Sequence, residues 1–262
     1  MSGEVSRRRP PATGIVPIVG GNEGHREFVE EVRPDAVILR VREAKRLLAN
    51  YGREVNSWFP DETTVITRRY AGSREELVFS WREEKNWVEA FEPDYHIPAF
   101  RVVEASNEAF SRVDGCERTA LGAEWMREKL PEQISIIPSV KGANLDERTI
   151  CEQVVGKLQP DMLAVGYTEY SAVSNGEQSI TEHLEAVARE TAEKPVLLLG
   201  SASPDLLSQL PDNVVASTQE PHNLLWRRQS EIRKSYRDLE AEVREALGYR
   251  HDGEETETGG EK

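Results

Sequence analysis

The chain has 262 residues, a formal net charge of −14 and a pI near 5.0. That length suits one large α/β domain or two small ones, with a sizeable core in either case. No apolar run approaches the ~20 residues of a membrane span, and the opening MSGEVSRRRPPATG lacks the apolar segment of a secretory signal, so a cytoplasmic protein is expected.

Only eight of the 33 basic residues are Lys. Excess acid with little Lys points to a halophilic cytosol, where surface carboxylates hold solubility at high salt. The negative charge therefore does not exclude a nucleic-acid partner. Cys116 and Cys151 stand far apart, form no metal motif and no disulfide framework, and read as two reduced thiols. Neither a metal nor a cofactor is expected. Residues 1–13, with Arg7, Arg8 and Arg9, read as a disordered basic arm, and residues 251–262 as a disordered acidic tail. A single domain is expected over residues 14–250.

In chain order, GIVPIVGGN reads as a strand and glycine loop before the helical HREFVEEV. DAVILRV is a second strand, followed by the helical EAKRLLANYG. TTVITRRYAG is a third strand. The amphipathic WREEKNWVEAF precedes a fourth, HIPAFRVVEA, which Pro98 weakens. Four short apolar runs follow, at 134–138, 162–166, 195–199 and 213–216, each ending in a polar or glycine-bearing loop. Short runs without alternation suit strands buried on both faces. A long charged helix from about Pro221 to Leu247 closes the pattern. Leu224, Leu225, Ile232, Leu239, Val243 and Leu247 form its inward stripe, with Glu240 and Arg244 paired on the outer face. Eight strands interleaved with helices in ~250 residues predict a (β/α)8 TIM-type barrel, with a doubly wound open sheet as the other possibility.

Chemistry in such folds sits in the loops after the strands. Strand 1 ends in Gly20, Gly21 and Asn22. The second strand ends in Arg40 and Arg42, the third in Arg68, Arg69 and Tyr70, the fourth in Arg101 and the fifth in Lys141 and Gly142. Strand 6 gives Gly166, Tyr167, Thr168 and Glu169; strand 7 gives Gly200, Ser201, Ala202 and Ser203; strand 8 gives Ser217, Thr218 and Gln219. Four consecutive strands thus end in a cation. Convergent cations bind anions, and Arg suits bidentate phosphate or carboxylate; the other reading is that each Arg pairs with a nearby carboxylate. Gly200-Ser201-Ala202-Ser203-Pro204 fits a phosphate loop or an ordinary capped connection equally well. Glu169 is the one acid squarely in a strand-end loop.

IVPIVGGNEGHREFVEEVRPDAVILRV, SVKGANLDER followed by LAVGY, PVLLLGSASPDLLSQLPDNVVAS, and Pro221-His222-Asn223-Leu224 opening the last helix occur in an order that resembles the tRNA-guanine transglycosylase superfamily, including its relatives that act on DNA. The resemblance implies a barrel that exchanges guanine for a 7-deazaguanine. His222 falls in the family's His-Asn-Leu signature. The sequence departs from the family at its chemistry. Arg68 and Arg101 stand where acids are expected after strands 3 and 4, Lys141 where a pocket Gln is expected, Gly166-Tyr167 where the family pairs two glycines, and Ala216 where the nucleophilic Asp is expected. The three-Cys, one-His zinc motif is absent. Base exchange needs a carboxylate nucleophile and a second carboxyl to move protons, and Arg has no acceptor for the donor edge of guanine.

The expectation is therefore a divergent or non-catalytic transglycosylase-like member in DNA or tRNA base modification. Its anion-binding mouth would be built from Arg40, Arg68, Arg69, Arg101, Lys141, Gly142, Gly166, Tyr167, Gly200, Ser201, Ser203 and His222. A catalytic paralogue or a second copy of the chain would be its partner. Two alternatives stay open. One is an active exchange enzyme using Glu169, Glu104 or Asp212; the other is an unrelated barrel enzyme acting on a phosphorylated metabolite.

Overall fold

Alternate residues of the apolar runs enter two different cores. Val16, Ile38, Ile66, Ile97, Ile137 and Leu197 join an inner cluster, while Ile15, Val37, Leu39, Val65, Leu198 and Val214 join an outer one with the helices. Side chains of a strand alternate between faces, so a run buried on both sides is mostly apolar, with Thr67, His96, Ser217 and Thr218 among the buried polar exceptions. A computed structural model describes residues 10–52, 58–69, 80–99, 108–167, 176–200, 203–219 and 229–248, with 176–179 and 229–232 described by backbone alone.

The strands are β1 (Gly14–Val19), β2 (Ala36–Arg40), β3 (Thr64–Arg68), β4 (Tyr95–Ile97), β5 (Ser135–Ile136), β6 (Leu163–Gly166), β7 (Val196–Leu199) and β8 (Val214–Gln219). Between them lie α1 (Glu23–Val32), α2 (Val41–Tyr51), α3 (Trp81–Phe91), α4 (Ala109–Lys129), α5 (Leu145–Leu158), α6 (Gly176–Glu190) and α7 (Pro204–Leu207), with α8 (Gln229–Ala246) last. All eight strands are parallel, in the order β5-β4-β3-β2-β1-β8-β7-β6. The result is a curled, TIM-like α/β sheet with helices on its outer face.

The expected closed barrel is corrected at one place. β5 and β6 share no ladder; a single parallel bridge, Ser139 to Ala164, joins the segment after β5 to β6. Ala164 donates its N–H to Pro138 O at 2.9 Å and accepts from Val140 N–H at 2.9 Å. In a parallel ladder the next bond would be donated by the N–H of residue 138. Proline has none, so the ladder stops there.

Local sequence explains the helix starts. Asn22 caps α1 by accepting from His25 N–H at 3.1 Å. Ser80 and Glu83 form a capping box on α3. β4 is shorter and earlier than the apolar run HIPAFRVVEA suggests: it ends at Ile97, just before Pro98. α4 is the element that sequence periodicity does not show. Its core side is made of Gly115, Cys116, Thr119, Ala120, Ala123 and Met126, mostly too small to give an apolar stripe. Of the expected stripe, Val243 of α8 is buried, and Leu239 and, just past the helix, Leu247 pack on the outer core; Leu224 and Leu225 lie outside the described residues, and Ile232 is described by backbone alone. Glu240 does pair with Arg244, at 3.4 Å, but it is buried rather than on an outer face. Tyr236 is the large core residue of this helix, edge-on to Phe28 and donating to Ile15 O at 3.4 Å. Of the arm expected over residues 1–13, residues 1–9 lie outside the described residues, as does the tail at 251–262, whereas Ala12 is buried in the inner cluster and so belongs to the folded domain.

No helix among the described residues is long and apolar enough to cross a membrane.

Candidate anion site at the strand ends

The β2–β3 register pairs Ile38 with Ile66 and Arg40 with Arg68. Ile38 and Ile66 belong to the inner cluster, and two residues along a strand restores the same face. Arg40 and Arg68 therefore sit side by side on the inner face at the C-terminal ends of adjacent strands. Arg68 also pairs in register with Ile97, another inner residue. Arg68 is buried and Arg40 half-buried.

Arg69 belongs to a different layer. One residue on from Arg68, it turns to the outer face and donates from Nη1 to Glu84 Oε2 at 3.0 Å. Glu84, on α3, has no exposed surface. Its other oxygen meets His96 Nε2 at 3.1 Å and accepts from Ala99 N–H at 2.7 Å. His96 Nδ1 lies 2.9 Å from Thr67 Oγ1. Carboxylate, imidazole and hydroxyl are thus in line, but Thr67 and His96 are fully buried between sheet and helix, out of reach of any substrate. The arrangement ties the ends of β3 and β4 to α3.

Lys141 and Gly142 open the connection from β5 to α5. Gly142 has φ of +124°, and a Cβ there would meet Arg148 N at 2.7 Å and Glu147 C at 2.8 Å. Glycine is required for this approach of the loop to the α5 backbone. Glu147 holds the loop in place, accepting from Ala143 N–H at 2.8 Å, Asn144 Nδ2 at 2.9 Å and Arg112 Nε of α4 at 3.0 Å. Lys141 is almost completely buried. Burial, with the neighbouring charges of Arg148 and Lys141, pushes the His183 imidazole down to about 3. Arg148 grips Glu190 through two bonds of 2.7 and 2.8 Å. Burial and the adjoining Glu190 push the Glu152 carboxyl up to about 7.

The remaining expected residues divide as follows. Gly166 pairs in register with the inner residue Leu199. Tyr167 packs against the outer core, away from the inner face. Gly200 gives its N–H to Thr218 Oγ1 at 2.7 Å, and Ser203 caps the one-turn α7 by accepting from Leu206 N–H at 3.2 Å. These contacts fit the capped-connection reading of the Gly200–Pro204 loop. Arg42 is in α2 beside Glu43 at 3.4 Å. Asp212 precedes β8 and so lies at the end of the sheet opposite the strand C-termini. Ala216 is an inner-cluster residue. Arg101, Glu104, Glu169, Ser201 and His222 lie outside the described residues. Among the described residues no group of three or more His, Cys, Asp or Glu is placed to hold a metal ion.

Sequence reasoning missed Glu84, His96 and Glu43. Glu43 accepts from Gly21 N–H at 3.0 Å, and His25 Nδ1 accepts from Gly20 N–H, so the β1–α1 loop is held from two helices. No known family model matches the chain, and no curated protein does.

Proposed function

We propose that this chain is a divergent, tRNA-guanine transglycosylase-like protein that binds nucleic-acid phosphate at a cationic mouth. Its role is in 7-deazaguanine-type modification of DNA or tRNA, in the cytoplasm, and it does not carry out base exchange alone. A catalytic paralogue or a second copy of the chain would supply the missing chemistry. The observation that carries this reading is the placement of Arg40 beside Arg68 on the inner face at neighbouring strand ends. Strands in a sheet lie ~4.8 Å apart, so the two arginines leave neighbouring strand ends on one face, where a pair of guanidinium groups suits a bidentate phosphate. Ala216 supports the non-catalytic part. It occupies an inner position where the resemblance calls for a nucleophilic acid, and it is packed among apolar side chains.

The test is titration of wild type, Arg40→Ala and Arg68→Ala with short duplex DNA, tRNA and inorganic phosphate at two salt concentrations. A labelled-guanine exchange assay accompanies it. Wild type binds a polyanion, each substitution weakens binding about tenfold, and the salt slope falls by about one unit per lost phosphate contact. Guanine incorporation stays at background. Equal binding by all three proteins removes the anion site. Robust incorporation that is lost on Glu169→Gln establishes the active-enzyme alternative instead. Saturable phosphate binding without polyanion binding establishes a phosphorylated metabolite as the ligand.

A further inference from the structure

The only two cysteines in the chain meet. α4 and α5 lie side by side and run in the same direction, as their cross-links show. Arg112 reaches Glu147 at 3.0 Å near the start of both helices, and Lys157 reaches Glu124 at 2.8 Å farther down. Cys116 and Cys151 lie between these pairs, with the same 35-residue offset as Arg112 and Glu147. The Cys151 thiol points at Cys116 O, 4.0 Å away, which places the two side chains together in the seam. Both side chains are buried in the outer core.

We propose that Cys116 and Cys151 are a modification site, an internal dithiol that a hydroperoxide oxidises to a disulfide joining α4 to α5. The packed seam holds the two side chains together on neighbouring helices, and opening of the seam lets them take up the geometry a disulfide requires. The adjoining Cys151 thiol, together with burial, pushes the Cys116 thiol well up, so the closed native state holds both sulfurs as unreactive thiols. Reaction proceeds through local opening of the seam. One exposed thiolate attacks a peroxide oxygen; the O–O bond breaks, hydroxide or alkoxide leaves and is protonated, and a sulfenic acid forms. The second sulfur attacks the sulfenic sulfur, the S–S bond forms and water leaves. Two thiols lose two electrons and two protons, and the peroxide gains them. The product staples the two helices whose first turns flank the Lys141–Asn144 loop.

The experiment treats the full-length reduced protein with hydrogen peroxide, with and without sub-denaturing urea. It then alkylates remaining thiols and reads intact mass, a non-reducing peptide map and the thermal midpoint. The expected result is loss of two hydrogens, a peptide joining Cys116 to Cys151, faster formation in urea, a higher midpoint, and reversal by dithiothreitol. Cys116→Ser and Cys151→Ser each abolish the joined peptide and the rise in midpoint. Two thiols still open to alkylation after denaturation of the oxidised sample overturn the proposal. So does a disulfide found only between molecules, or the same rise in midpoint in the double serine variant.

Discussion

Glu84 and His96 meet 3.1 Å apart between α3 and the sheet, and neither has exposed surface. The carboxylate also holds Arg69 and the backbone N–H of Ala99. Removing it takes the carboxylate away from a buried guanidinium and a buried imidazole. Breaking a buried pair in this way costs about 3–5 kcal/mol. Glu84→Ala is expected to lower the thermal midpoint by on the order of 10 °C, with Glu84→Gln intermediate. Circular dichroism melts measure both; a drop of only a degree or two for the alanine variant removes the network from the account of stability.

Arg68 and Arg69 are neighbours in sequence but lie in different layers, so their substitutions separate. Arg69→Ala takes one of three partners from the buried Glu84 and is expected to cost about 2–3 kcal/mol of stability, with anion binding retained by the folded fraction. Arg68→Ala is expected to weaken anion binding while the melt moves less. Paired melts and titrations check this. The same outcome for both variants means that the two side chains do not divide between the faces of the sheet.

Two groups near α5, the half-buried Glu152 and the buried His183, set opposing pH dependences. Burial pushes Glu152 up to about 7 from the ordinary 4.5, with its bond to Glu190 and that neighbour's charge adding. The folded carboxyl holds its proton more tightly than the unfolded one. Its contribution is fully present below pH 4.5 and is lost as pH rises through about 7. His183 is pushed down to about 3 from 6.5, so the unfolded chain binds its proton more tightly. Its contribution is present above pH 6.5 and is lost as pH falls toward about 3. Glu190, held below the ordinary carboxylate range by Arg148, adds to the acid-side loss. Urea midpoints against pH are expected to rise from the acid side and to flatten toward neutrality. Glu152→Gln, which keeps a donor toward Glu190, is expected to raise the midpoint near pH 8 and leave it unchanged near pH 4. His183→Leu is expected to shallow the acid slope. An unchanged pH profile in both variants rejects the assignment.

Two glycines on either side of the α5 start make a controlled comparison. Gly142→Ala places a methyl 2.7 Å from the Arg148 nitrogen at a φ of +124°, an expected cost of about 2–3 kcal/mol. Gly156, inside α5, has nothing within 4 Å of an added Cβ. Gly156→Ala is expected to stabilise by about 0.5–1 kcal/mol. Chemical denaturation of both variants, read as shifts in opposite directions, checks the pair.

Most strands were legible because they are buried on two faces and read as apolar runs; β3 and β4 are mixed, carrying the buried Thr67 and His96. α4 was not, because Gly115, Ala120 and Ala123 face the core and small residues leave no stripe. The site was legible in half. Arg40 and Arg68 could be read from their positions at strand ends, but only the register assigns Arg68 to the inner face and Arg69 to the outer. Glu83 and Glu84 are indistinguishable in WREEKNWV; tertiary packing makes one an exposed cap and the other the fully buried partner of two strand ends. Cys116 and Cys151 meet only because α4 and α5 pack in register, which no spacing in the sequence announces.

The order of strands in the ladder has a consequence for how the chain assembles. β1 and β8, at opposite ends of the sequence, pair in the middle of the ladder, whereas β5 and β6, consecutive in sequence, are its two margins. Pairing β1 with β8 must close nearly the whole chain, the slowest kind of contact to form. A Cβ added at Gly14 would meet the Arg244 side chain at 3.1 Å, so the start of β1 and the end of α8 lie close together. A circular permutant that links the two ends and begins between β5 and β6 would string all eight strands in the order in which they pair. Every strand contact would then become local, and the permutant should fold faster than the natural arrangement with the same residues in the same places.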